Sequence, residues 1–84
     1  MSTVLCVEPL PLDVKETDVE QFFGRAGTVV NCDVLANAST RISKVFALVE
    51  MASNRQAEKA IAQLDGKMLS GRTVRVVQAP FPSR

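Results

Sequence analysis

Six short segments of this chain alternate between two hydrophobic periodicities, and their order restricts the fold more than any other feature of the sequence. Four segments are rich in apolar and β-branched residues and show the two-residue alternation of strands. They cover residues 3–8, 29–35, 44–51 and 73–77. Two further segments, one after the first strand and one after the third, carry apolar residues at helical spacing. The predicted order of elements is therefore β-α-β-β-α-β.

The two helical segments carry signals at their ends. In the first, either Asp13 or Thr17 could cap the start of the helix, and the sequence leaves both open. The second begins with Ser53, followed three residues later by Gln56 in the pattern of a capping box, and Gly66 follows its end. The apolar stripes are Val19, Phe22, Phe23 and Ala26 in the first helix and Ala57, Ala60, Ile61 and Leu64 in the second. Each stripe predicts an amphipathic helix that packs on the strands.

The order of these elements is that of ferredoxin-like α+β domains. In this βαββαβ arrangement, two helices pack on one face of a four-stranded antiparallel sheet. The length suits one domain over residues 1–84, with a core at about residues 3–79. Pro80 and Pro82 cannot extend a strand ladder, so residues 80–84 are predicted to form a tail. The sheet face without helices remains open, and its side chains decide what the domain can bind.

Composition narrows the classes of function. The chain has 2 Cys and 0 His, so neither a disulfide framework nor a Cys/His metal site is expected, and no cofactor is predicted. A general base near neutral pH is hard to assemble without histidine, and we predict that the protein is not an enzyme. No stretch approaches the roughly 20 apolar residues of a membrane span, and the first residues lack the features of a signal peptide. We therefore expect an intracellular protein without a membrane segment, with cytoplasm and nucleus left open.

The open face of the predicted sheet can be read from strand alternation. Neighbouring side chains point to opposite faces, so each strand divides into two sets. The inner set is Leu5, Val7, Cys32, Val34, Val45, Ala47, Val49, Met51, Val74 and Val76. The outer set is Val4, Cys6, Glu8, Asp33, Leu35, Lys44, Phe46, Leu48, Glu50, Thr73, Arg75 and Val77. The outer set is more apolar than solubility requires, which predicts a contact surface.

Segments on the first and third predicted strands resemble a known family. Residues 44–51, KVFALVEM, resemble the octapeptide motif of RNA recognition motifs, and residues 5–10, LCVEPL, are similar to the family's hexapeptide on strand 1. Residues 60–66 and the pair Gly71-Arg72 are similar to its second helix and to its lead into strand 4. The resemblance implies a strand order of 4-1-3-2 and single-stranded RNA laid across the open face. It also implies a role in RNA processing.

The resemblance further implies which residues contact RNA. The family's base-stacking positions fall on Cys6, Phe46 and Leu48, of which Phe46 alone has a ring. Lys44 and Arg75 are expected on phosphates or base edges. The predicted RNA-binding residues are Cys6, Glu8, Lys44, Phe46, Leu48, Arg75 and Gln78. Because one stacking ring remains and carboxylates outnumber cations on the face, binding is expected to be weak and sensitive to salt.

A protein-interaction module of the same fold is the alternative. Acidic residues cluster around the start of the first helix and could hold a peptide partner. They are Asp13, Glu16, Asp18 and Glu20. The apolar open face could instead bind a protein partner or a second copy of the chain, although a monomer is favoured over a dimer. The loop at residues 67–69 departs from the Arg-any-Phe pattern of family members that capture peptides.

Overall fold

The helices and strands follow the predicted order, with one additional hairpin. The structure, a computed structural model, describes residues 2–37 and 44–79, apart from the side chains of Ala36, Asn37 and Lys44. The elements are β1 (Thr3–Glu8), α1 (Glu16–Gly24), β2 (Val29–Asn37), β3 (Lys44–Met51), α2 (Asn54–Leu64), β4 (Met68–Leu69), β5 (Arg72–Thr73) and β6 (Arg75–Gln78). The tail predicted at residues 80–84 lies outside the described residues.

The main sheet has four strands in the order β2-β3-β1-β6. Each neighbouring pair is antiparallel, and β1 and β3 occupy the centre. Since β6 is the fourth predicted strand, this order is the predicted 4-1-3-2 arrangement listed from the opposite edge. The segments that resemble the hexapeptide and the octapeptide therefore lie side by side in the middle of the sheet.

The fourth predicted strand is divided in the structure. Thr73 pairs with Met68 in the small β4–β5 hairpin, and the sheet strand β6 begins only at Arg75. The chain reverses between β4 and β5 at Ser70 and Gly71, whose φ values of 52° and 85° lie in the left-handed region. The prediction that Thr73 belongs to the open face of the main sheet is therefore wrong. The alternation of residues 73–77 continues across the break, so periodicity alone could not reveal it.

The first helix begins without either predicted cap. The residue before α1 is Lys15, so neither Asp13 nor Thr17 occupies the cap position. Instead, the carboxylate of Asp18 accepts a hydrogen bond from the backbone N–H of Lys15 at 3.1 Å. This contact satisfies a backbone donor at the helix start, where a negative charge also suits the helix dipole.

The second helix begins where the sequence predicted. The Ser53 hydroxyl oxygen accepts a hydrogen bond from the backbone N–H of Gln56 at 3.2 Å. The side-chain oxygen of Gln56 accepts from the backbone N–H of Thr28, which ties α2 to the segment before β2. A Cβ atom at Gly27 would lie 2.6 Å from that same Gln56 oxygen. Glycine at this position therefore allows the close approach of the two segments.

The hydrophobic core lies between the helices and one face of the sheet. Leu5, Val49 and Met51 from the two central strands are fully buried, as is Phe23 from α1. The predicted inner set is buried except for Val34, which is partly buried against the core. Because the helices cover this face, the alternate residues of the same strands form the open face.

Candidate functional site

The open face is the side of the main sheet that the helices leave uncovered. One row of its side chains crosses all four strands. Cys6 on β1 pairs in register with Leu48 on β3 and with Val77 on β6. Leu48 pairs in turn with Asp33 on β2. Residues directly opposite each other in an antiparallel pair have Cβ atoms about 4.5–5.5 Å apart, so two of the predicted stacking positions are immediate neighbours.

The aromatic residue of the open face lies in the next row. Phe46 lies on β3, two residues before Leu48, and pairs with Leu35 on β2. Two residues along a strand span about 6.6 Å, which places the ring close to the row that contains Cys6. Phe46 is half-buried and Leu35 is 41% exposed, so this corner of the face is apolar and accessible.

A third row of the open face contains Asn31 on β2, a polar residue that the predicted outer set did not include. Glu50 on β3 pairs with Val4 on β1 and with Asn31 on β2. The carboxylate of Glu50 accepts a hydrogen bond from the Ser2 hydroxyl. Asn31 is exposed and lies two residues before Asp33, so the alternation of side chains along β2 could have placed it on the open face.

Arg75 was predicted to meet phosphates or bases, and the structure places its guanidinium at the edge of the sheet. Its backbone pairs with that of Glu8, so its position on β6 belongs to the open face. However, Arg75 Nε donates a hydrogen bond to Asp65 Oδ1 at 2.9 Å. The same Asp65 oxygen accepts the backbone N–H of Val76 at 2.9 Å. These two donors lower the pKa of Asp65, the backbone N–H of Val76 being the larger cause.

The remaining predicted residues, Lys44 and Gln78, are not part of this described group. Lys44 is the first residue of β3 and pairs with Asn37, and its side chain lies outside the described part of the structure. Gln78 pairs with Leu5 of the covered face and lines a cleft beside α2, so its side chain lies on the helix side of the sheet and not with the group on the open face. Further cleft residues are Thr3, Asn54, Ala57, Glu58 and Ile61. The structure thus brings together Cys6, Phe46 and Leu48, with Glu8 and Arg75 beside them.

The two cysteines lie on opposite faces of the sheet, and both are free thiols. Cys6 is half-buried on the open face, whereas Cys32 is 7% exposed on the covered face. Burial raises the pKa of the Cys32 thiol to about 11, with a further rise from the carboxylates of Glu20, Glu16 and Asp33. Cys32 is therefore a neutral, protected thiol at physiological pH.

We expect iodoacetamide to modify Cys6 before Cys32 in the folded protein. The thiolate is the reacting form, and at pH 8 a thiol of pKa about 11 is ionised in about one molecule in a thousand. Peptide mass spectrometry of partly alkylated protein measures the order of modification. Protein unfolded in urea is the control, in which the two rates should become similar. Faster modification of Cys32 in the folded state would contradict the placement of the two thiols.

Comparison with known proteins agrees with the motifs on the central strands. The family model for the RNA recognition motif matches residues 5–75. The chain belongs to this family.

The relatives and solved structures similar to this chain include proteins named for RNA. The 28 kDa chloroplastic ribonucleoprotein of Spinacia oleracea is 43% identical over 67 residues, covering 80% of this chain and 29% of the relative. The serine/arginine-type shuttling mRNA binding protein NPL3 of Saccharomyces cerevisiae is 31% identical over 83 residues, covering 99% of this chain and 18% of the relative. The crystal structure of RNA binding protein PG1 superposes with a TM-score of 0.82 at 27% identity, covering 98% of this chain and 99% of that one. The chain spans less than a third of the length of the two curated relatives.

Within residues 2–37 and 44–79, no group of three or more Cys, Asp or Glu side chains could hold a metal ion. No helix in that part of the chain is long and apolar enough to cross a membrane.

Proposed function

We propose that this domain binds short single-stranded RNA weakly across the open face of its sheet. The observation that carries the proposal is the placement of Phe46 beside the cross-strand pair of Cys6 and Leu48, in a domain of the RNA recognition motif family. One base stacks on the Phe46 ring and a neighbouring base lies against Cys6 or Leu48. Lys44 and Glu8 flank these bases. Arg75 lies beside them with its guanidinium bonded to Asp65, and Gln78 lies further along the same strand.

The weakness of the proposed binding follows from the composition of the face. A base stacked on an aromatic side chain contributes about 1–3 kcal/mol, and two of the three stacking positions lack a ring. The described open face also carries the carboxylates of Glu8, Asp33 and Glu50, which repel phosphates. Counterion release from RNA makes the remaining phosphate attraction sensitive to salt.

We infer a monomeric domain that uses no cofactor or metal, performs no catalysis and acts in RNA processing inside the cell. The relatives are named as chloroplastic and as shuttling proteins, which supports an intracellular location.

The alternative of peptide capture by the acidic first helix has less support. Two of its carboxylates already have partners within the fold. Asp18 accepts from the Lys15 N–H at 3.1 Å, and Glu16 accepts from the Val34 N–H at 3.5 Å. These contacts stabilise the start of α1 and the edge of β2, which accounts for both residues without a ligand.

We expect Phe46→Ala to weaken binding of single-stranded RNA about 5- to 150-fold, the equivalent of one lost base stack. Fluorescence anisotropy with labelled random RNA hexamers at low salt measures the change. Because Phe46 lies on the open face, circular dichroism should show an intact fold.

Met68→Ala is the matched control for the removal of apolar surface. Met68 is 63% exposed and lies in the hairpin, whose strand β4 contacts α1. This variant should bind RNA as the wild type does. Equal affinity of wild type and Phe46→Ala would refute RNA binding by the open face.

A further inference from the structure

The ion pair at the edge of β6 joins a residue of the proposed RNA-binding surface to a residue outside it. Arg75 belongs to the open face by its register with Glu8, while Asp65 follows the last residue of α2. Arg75 Nε and Asp65 Oδ1 are 2.9 Å apart. The pair therefore directs a cation away from the surface on which its strand position would place it.

The acidic partner is the fixed member of this pair. The backbone N–H of Asp65 bonds to the carbonyl of Ile61 at 3.1 Å, and the next N–H, of Gly66, bonds to the carbonyl of Val74 at 2.8 Å. The carboxylate also accepts the N–H of Val76. The Asp65 side chain is 33% exposed and that of Arg75 is 69% exposed. Hydrogen bonds hold both the backbone and the carboxylate of Asp65. Arg75, with the more exposed side chain, is therefore the residue that moves when the ion pair opens.

The charges around Arg75 determine what it can offer to RNA. Its cross-strand neighbour is Glu8, and its hydrogen-bonded partner is Asp65, so a phosphate that approaches the guanidinium meets two carboxylates. An exposed ion pair is weak, and a phosphate can compete for the same cation.

We propose that Asp65 is a positioning residue that holds Arg75 at the sheet edge and thereby lowers the affinity of the open face for the phosphate backbone of single-stranded RNA. This inference rests on the proposed function. Asp65 has no contact with RNA in this scheme and acts through Arg75. Removing its charge frees one additional cation for a phosphate.

The variant Asp65→Asn tests the inference directly. Its amide oxygen can still accept the N–H of Val76, while the attraction for the guanidinium falls. We expect binding of labelled random RNA hexamers at low salt to tighten about two- to fivefold, the range of one exposed ion pair. We also expect the slope of log affinity against log salt to steepen by about 0.7, which corresponds to one added phosphate contact on a single strand.

Arg75→Gln separates this role from a structural one. In the Asp65→Asn background it should remove both the gain in affinity and the steeper slope. In the wild-type background it leaves Asp65 untouched and should change the slope by less than about half that amount, because the cation is already engaged. If Asp65→Asn fails to fold, the salt dependence of Arg75→Gln in the wild-type background still decides the question.

Failure of this inference is distinct from failure of the proposed function. If Phe46→Ala weakens binding but Asp65→Asn changes neither affinity nor slope, the role of Asp65 is overturned. A full loss of about 0.7 in slope for Arg75→Gln in the wild type overturns it as well, since Arg75 would then already contact phosphate. If Phe46→Ala binds as the wild type does, RNA binding by this face falls, and the inference falls with it.

Discussion

Replacing Cys6 by Tyr and Leu48 by Phe together is expected to tighten binding of short single-stranded RNA by about 30- to 1,000-fold. Each new ring adds a base-stacking platform of about 1–3 kcal/mol, and adjacent platforms are not fully additive, so we expect about 2–4 kcal/mol in total. Cys6 and Leu48 pair directly across β1 and β3 on the open face. Both are half-buried, so larger side chains can extend toward solvent without entering the core.

Calorimetric titration of a short single-stranded RNA into both single variants and the double variant measures this gain. Met68→Phe provides the control, because it adds a ring to the β4–β5 hairpin and leaves the open face unchanged. An equal gain from Met68→Phe would show that added aromatic surface acts without regard to position. An unchanged affinity in the double variant would contradict stacking at these positions.

Phe23→Ala is expected to lower the free energy of unfolding by about 3–5 kcal/mol, the usual cost of truncating a buried phenylalanine. Phe23 is 0% exposed and meets Phe22 edge to face, with ring centroids 5.6 Å apart. Domains are stable by about 5–15 kcal/mol in total, so the variant loses a large part of its stability. Urea unfolding followed by circular dichroism measures the difference.

Phe46→Ala is the matched comparison for the truncation of Phe23. The two variants remove the same ring, one from the open face and one from the core between α1 and the sheet. The loss of stability should be clearly smaller for Phe46→Ala, because a half-buried side chain leaves no closed cavity. Equal losses in the two variants would contradict the assignment of these rings to a binding surface and to the core.

Much of the fold could be predicted because two periodicities alternate clearly along the chain. In β1, the odd residues Leu5 and Val7 are buried while Cys6 between them faces the open side. The same alternation runs through β3 and correctly places Phe46 outward. The Ser53 cap was also predictable, because its hydrogen bond forms within one turn of sequence.

The features that were missed include one contact between separate segments and local contacts that the residue types alone did not predict. Ten positions separate Asp65 from Arg75, and their bond exists only because the end of α2 meets β6. The β4–β5 hairpin depends on a turn at Ser70, whose φ is 52°. A positive φ is uncommon for residues other than glycine, so the sequence did not predict this turn. At the start of α1, the carboxylate of Asp18 accepts the backbone N–H of Lys15, a local contact that takes the place of the predicted caps.

Binding of single-stranded RNA by the open face is tested most directly by following the backbone amide signals of the whole chain during titration with short RNA oligonucleotides. We expect shifts that rise together at Cys6, Phe46 and Leu48 on the two central strands, with smaller changes along α1. Shifts confined to α1, or no shifts on β1 and β3 at millimolar RNA, would contradict this binding.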